Sequence, residues 1–247
     1  MFARAGRHVS RVLRKTAFPY RDTRVAGRRE MGEREPGQPR EALMTPEDQT
    51  RLLRALSFAM EAHGHQTRKG SSIPYVSHLL QVCGLVLESG GDVDQAAAAL
   101  LHDVVEDTEI SLEDIRAEFG ADVARMVCDC TDTGYEDTAG DKSPWFTRKR
   151  AYVDHLKEAS VRSLLVSACD KRHNLGSMVL DVRNEGLAYL DRFMGRPEQQ
   201  VWYYQAVLDA LGGRVPTRLY RDISTQLVAF EKTLGSLTTA AGGEEEG

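Results

Sequence analysis

From Thr45 to about Leu234, apolar residues recur every three or four positions, and no stretch alternates in the two-residue rhythm of a strand. A chain patterned this way has to bury its apolar surface as helices packed on helices, and the expected class is all-α. Thr45-Pro46-Glu47-Asp48 sets the first start: a capping hydroxyl, proline at the first helical position and acids in the first turn. That helix carries Leu52, Leu53, Leu56, Ala59, Met60 and His63 to about Gly64. A second carries Leu79, Leu80, Val82, Cys83, Val86 and Leu87 and stops at Gly90-Gly91. A third runs from near Asp94 through Ala96–Leu101 to about Glu106, with small residues that suit close packing. Ser111 opens a fourth, ending at Phe119-Gly120, and a fifth spans about Asp122 to Cys130. Thr131 to Trp145 reads as a long loop of the kind that often carries function. Further helices are expected over Thr147–Glu158, Val161–Leu175, Leu187–Phe193, Pro197–Leu211 and Thr217–Leu234.

The ends differ from this core. Residues 1–43 are rich in arginine and poor in core-forming runs, so they are expected to be a disordered basic extension. Such a segment can be a transit peptide, a basic arm or an upstream extension, and Met44 is the favoured start of the folded domain. That domain is expected over 44–236, followed by a disordered acidic tail over 237–247. The net charge is −5 over 247 residues, which argues against bulk polyanion binding, and no nucleic-acid partner is expected. A tether to nucleic acid through the basic arm would reveal itself by salt-dependent affinity. No apolar run is long enough for a membrane span. Cys83, Cys128, Cys130 and Cys169 sit in apolar helical patterns without paired spacing, as buried hydrophobes of a reducing, cytoplasmic compartment do.

Chemistry concentrates in two places. His102-Asp103 is followed four residues later by Glu106-Asp107, directly after the apolar Ala99-Leu100-Leu101. Three carboxylates at a helix C-terminus oppose its dipole, and a cation would remove the conflict; a solvated acidic helix end is the plainer alternative. Asp170 interrupts the apolar run Leu164–Cys169, where an unpaired charge is costly to bury, and Asn174 lies one turn on. A buried helix–helix hydrogen bond is the alternative there.

Taken in order, Arg68-Lys69-Gly70, Pro74-Tyr75-Val76-Ser77-His78, Ala98–Thr108 around His102-Asp103, Phe119-Gly120 and Asp170–Leu175 resemble the hydrolase domain of the Rel/Spo alarmone enzymes and their small stand-alone relatives. The resemblance spans about Leu52 to Leu211. It implies an all-α HD-domain helical bundle holding one divalent metal ion, usually manganese, through His78, His102, Asp103 and Asp170. Two imidazoles and two carboxylates suit manganese or iron better than a closed zinc site. Glu106 and Asp107 match the pair that orients or deprotonates the attacking water. Arg68, Lys69 and Asn174 match residues that contact the nucleotide, and either Tyr203 or Tyr204 matches an aromatic near it. The implied reaction removes the 3′-pyrophosphate of guanosine tetra- or pentaphosphate, with that guanine nucleotide alarmone as partner. Too little chain follows Leu211 for a synthetase domain, so alarmone synthesis is not expected. Two other readings stay open: a phosphatase of another nucleotide such as NADPH, and an HD-fold nucleotide sensor without turnover.

Overall fold

The computed structural model describes residues 44–132 and 144–243, with side chains up to residue 237. The expected basic extension over 1–43, most of the expected loop over 131–145 and the last residues of the acidic tail lie outside the described residues. In chain order the helices are α1 (Pro46–His63), α2 (Val76–Glu88), α3 (Val93–Leu101), α4 (Val104–Asp107), α5 (Leu112–Phe119), α6 (Ala121–Cys130), α7 (Trp145–Glu158), α8 (Val161–Glu185), a 3₁₀ segment (Leu187–Arg192), α9 (Pro197–Leu211) and α10 (Thr217–Gly243). Among the described residues β pairing is confined to an isolated bridge between Thr67 and Pro74, so the class is all-α. No described helix is long and apolar enough to cross a membrane.

Capping residues explain most of the starts. At α1, α3 and α5 the side chains of Thr45, Asp92 and Ser111 each accept the third backbone N–H, while Asp48, Gln95 and Asp114 reach back to the cap. Ser160 caps α8 by accepting from the Ser163 N–H.

α3 is the centre of the bundle. Every residue from Gln95 to Leu101 is buried, and the helix packs against α1, α2, α6 and α8. Four consecutive alanines permit this, because a large side chain on any face would push a neighbouring helix away. α8 forms the second axis, flanked by α2, α6 and α10.

Three boundaries differ from those expected. The third helix does not run unbroken to Glu106; it ends at Leu101 and resumes as the single turn α4. The reason is a side chain: His102 Nδ1 sits 2.8 Å from the Ala99 carbonyl, the acceptor a continuing helix would offer to the Asp103 N–H. α8 runs past Leu175 to Glu185. Gly176 is not a stop; a Cβ there would lie 3.0 Å from Gln226 Nε2, so glycine lets α10 approach, and the true stop is Gly186 at φ +78. The segment after it is a 3₁₀ helix, and α10 continues beyond the boundary expected at 236.

Candidate metal centre and nucleotide pocket

Two helices and one turn deliver the polar groups. His78 comes from the first turn of α2, His102 and Asp103 from the break between α3 and α4, and Asp170 from the middle of α8. Ligand atoms of His78, His102 and Asp170 all lie within 4.8 Å of one another. The two Nε2 atoms face each other at 3.3 Å. Asp103 Oδ2 is 3.1 Å from the His102 nitrogen and 3.5 Å from that of His78; Asp170 Oδ1 is 3.5 and 3.2 Å from the same two. The Asp103 side chain keeps 19% exposure against 1–6% for the other three, so the cluster opens to solvent on the Asp103 side.

These groups fit a divalent cation on their own chemistry. The Nδ1–H of His102 donates to the Ala99 carbonyl, which leaves the Nε2 lone pair turned inward. His78 Nδ1 is engaged 2.8 Å from His173 Nδ1, so its Nε2 also faces the cluster. Two imidazole nitrogens and two carboxylate oxygens thus converge in a buried space, an arrangement that needs a positive charge. Without a metal, a proton serves: burial opposes it, but Asp103 and Asp170 together hold His102 protonated well above the usual histidine range. Burial likewise opposes ionisation of Asp170, and Lys171, His102 and His78 overcome it, keeping the carboxyl well below its ordinary range.

The surroundings lock the cluster. Tyr75 donates from its hydroxyl to Asp103 Oδ2 at 2.6 Å. Burial, then the Asp103 charge, drive that hydroxyl's pKa far up, so it stays a donor. Lys171 ion-pairs with Asp170 Oδ2. Burial first, then His78 and Arg68, lower the pKa of His173 to about 4, which leaves it neutral beside His78.

Asp170 Oδ1 also accepts from Asn174 Nδ2 at 2.6 Å, and Asn174 Oδ1 accepts from Arg68 at 2.9 Å. The sequence-predicted arginine and asparagine are therefore wired to a predicted ligand. Arg68 lies in a tight loop held by its N–H bond to the Ile73 carbonyl at 2.8 Å. Gly70 in that loop has φ +72, and its missing Cβ leaves room for the Arg192 side chain. Lys69 is exposed, its ammonium 5.1 Å from the centre of the Phe193 ring.

Glu106 and Asp107 sit on α4, just beyond Asp103. Glu106 Oε2 accepts from the Asp132 N–H at 3.4 Å. Burial, then the Asp132 and Asp103 charges, push its pKa up to about 7. Asp107 is tied down through its backbone: its carbonyl accepts from Gln66 Nε2 at 2.8 Å. Tyr203 and Tyr204, between which the sequence does not choose, are both buried. Tyr75, His173, Lys171 and Asp132 carry no sequence-level role. The first three lie inside quoted motifs and could have been found by asking what holds each ligand.

The HD domain family matches residues 55–188, a span that contains the four proposed ligands and Arg68, Lys69, Glu106, Asp107 and Asn174, but not Tyr203 or Tyr204. MESH1 of Xenopus tropicalis, named as a guanosine-3′,5′-bis(diphosphate) 3′-pyrophosphohydrolase, is 39% identical over 132 residues, or 52% of this chain and 69% of MESH1. The bifunctional (p)ppGpp synthase/hydrolase SpoT of Escherichia coli K12 is 34% identical over 148 residues, 56% of this chain but 20% of SpoT. Among solved structures, a metazoan SpoT ortholog described as hydrolysing ppGpp superposes with a TM-score of 0.59 at 27% identity, covering 74% of this chain and 96% of its own. The Listeria monocytogenes protein lmo0812 superposes at 0.53 with 26% identity, covering 61% and 96%. With the HD model spanning more than half of its length and MESH1 matched over 69% of that relative, this chain belongs to the HD domain family.

Proposed function

We propose that this chain is a metal-dependent phosphohydrolase that removes the 3′-pyrophosphate of guanosine tetra- or pentaphosphate, giving GDP or GTP and pyrophosphate. The observation that carries this reading is the wiring of Arg68 through Asn174 to Asp170, because it joins a phosphate-binding cation to the metal cluster. The similarity to MESH1 supports the choice of substrate.

His78, His102, Asp103 and Asp170 would hold the ion. A divalent ion there supplies Lewis acidity toward water and toward a phosphoryl oxygen. The two-nitrogen, two-carboxylate donor set favours Mn²⁺ over a closed zinc site. Glu106 is the proton acceptor for the attacking water, since a carboxylate with a pKa near 7 both ionises at neutral pH and takes a proton readily. The water oxygen ends on the pyrophosphate, the bond from phosphorus to the ribose 3′ oxygen breaks, and that oxygen ends protonated. Asp107 assists in orienting the water. Arg68 and Lys69 neutralise phosphate charge at the mouth, and Asn174 holds Arg68 in register with the ligands. The four cysteines, all free thiols, suit a reducing, cytoplasmic setting.

The test is turnover by Mn²⁺-loaded protein on a panel of guanosine tetraphosphate, GTP, GMP and NADPH. The tetraphosphate is expected to be cleaved far faster than the others, with pyrophosphate as co-product. Equal turnover of GTP or GMP would replace the alarmone reading with a general HD nucleotidase, and preference for NADPH would replace it with a 2′-phosphatase.

A further inference from the structure

Asp132, at the end of α6, has no part in the metal cluster, yet it is a buried carboxylate in a densely charged pocket. Two cations from the first turn of α7 converge on it: Arg148 Nη1 at 2.8 Å from Oδ1, and Lys149 Nζ on Oδ2. Arg148 is itself buried, and Lys149 lies with its ammonium 5.0 Å from the centre of the Tyr203 ring. Two cations on one buried carboxylate fix residue 132 far more firmly than chain continuity alone would at the edge of a helix. The fixed residue then reaches across to α4, where its backbone N–H donates to Glu106 Oε2 at 3.4 Å and its carboxyl bonds that of Glu106.

We propose that Asp132 is a positioning residue for Glu106: clamped by Arg148 and Lys149, it holds the Glu106 carboxylate in place. The proposal rests on the reading of Glu106 as the proton acceptor. The physical logic is one of separated charges. Glu106 meets Asp132 from the segment just after α6, Asp103 from the turn before α4 and Lys149 from α7. Asp132 stays ionised, since Lys149 and Arg148 outweigh the burial that opposes it. Of the two carboxylates Glu106 is therefore the one that takes up a proton, and removing the neighbouring charge makes it a weaker base. Neither carboxylate could do this alone: an unclamped Asp132 would take its own share of the proton, and an unaccompanied Glu106 would be a weaker base held less firmly.

A double-mutant cycle on the full Mn²⁺-loaded chain decides the matter. Asp132→Asn is expected to lower kcat about tenfold, with KM within about twofold and metal content unchanged. In a Glu106→Gln background the same substitution is expected to cost nothing further, because there is no proton acceptor left to position. If Asp132→Asn lowers kcat by the same factor in both backgrounds, or lowers metal content, Asp132 is a structural residue and the proposal falls. If Glu106→Gln itself leaves kcat intact, the proton-acceptor role of Glu106 fails and takes this proposal with it, a result separable from the first because it needs no change at residue 132. Should Asp132→Asn not fold, the pair Asp132→Asn with Arg148→Gln, which removes one charge of each sign, is put through the same cycle with the same criteria.

Discussion

The metal side and the phosphate side of the pocket are built differently. His78, His102 and Asp170 are core residues: each is buried, each comes from a long helix or its last turn, and each has a hydrogen-bonding partner that fixes its orientation. Arg68, Lys69, Glu106 and Asp107 lie on a loop and a single helical turn, and are fixed from outside the long helices: Arg68 by the Ile73 carbonyl and by Asn174, Asp107 by Gln66, and Glu106 by Asp132. The proposed ligands are thus bound up with the packing of α2, α3 and α8, while the groups proposed to handle nucleotide and proton can change with little disturbance to the core. Substitutions on the first side should remove the metal; those on the second should spare it and alter rate or affinity.

The largest effect is expected where the two properties are fused. His102→Ala or Asp170→Ala should abolish both metal binding, read by elemental analysis, and turnover. Undiminished metal in both variants would overturn the ligand assignment. The same side predicts a pH dependence with a definite sign. His102 has its pKa raised, so metal has to displace a proton, and affinity should weaken as pH falls and strengthen as it rises. A metal titration at two pH values that releases no proton would contradict this.

Next in size is the proton acceptor. Glu106→Gln should leave metal content intact and lower kcat about 10²-fold. Glu106 has to be ionised to act, so kcat should rise with pH along an acidic limb. That limb lies at or below the value of about 7 set by burial, Asp132 and Asp103, because a bound dication stabilises the carboxylate further. In Glu106→Gln the limb should vanish. Its persistence would assign the titration to another group.

How much of this was legible without a structure depends on where each signal was stored. The all-α class was readable from periodicity, and the four proposed ligands from the resemblance of their motifs to the Rel/Spo hydrolases. The break at His102 was not, since the pattern from Ala96 to Glu106 is that of one helix and the interruption comes from a ring competing for the Ala99 carbonyl. The run of α8 past Leu175 was not either, since it depends on Gly176 leaving the space that α10 needs. Asp132 lies in a stretch whose composition says only loop, and its meaning depends on Arg148 and Lys149 sixteen and seventeen residues on. Pairings at such separations are set by how α6 and α7 pack, which no local pattern encodes.

Smaller again is the effect expected at the mouth. Arg68→Ala removes a charge-assisted contact present in ground and transition states alike, so KM should rise roughly 10–100-fold with kcat nearly constant. Because Arg68 also bonds Asn174, which bonds Asp170, the comparison between the two sides can fail here. A loss of metal affinity in Arg68→Ala would show that the mouth helps to hold the ligands, and a fall in kcat at constant KM would move Arg68 to the transition state.

The finest discrimination comes from Tyr75, which touches both sides. Its hydroxyl donates to Asp103 Oδ2 at 2.6 Å, while its ring packs against His63 at a centroid distance of 4.9 Å and edge-on to His78 at 5.6 Å. Arg68 lies 5.8 Å over the same ring. Tyr75→Phe keeps all three ring contacts and removes one hydrogen bond to a ligand carboxylate. Partners of this kind orient a ligand and tune its basicity, and losing one weakens metal binding by about tenfold or more. We expect a loss near tenfold in Mn²⁺ affinity, with KM unchanged once metal is saturating. Restored kcat at high Mn²⁺ would place Tyr75 wholly on the metal side. If metal affinity holds and KM rises instead, the hydroxyl serves the nucleotide, and the boundary between the two halves of the pocket runs through Asp103 rather than outside it.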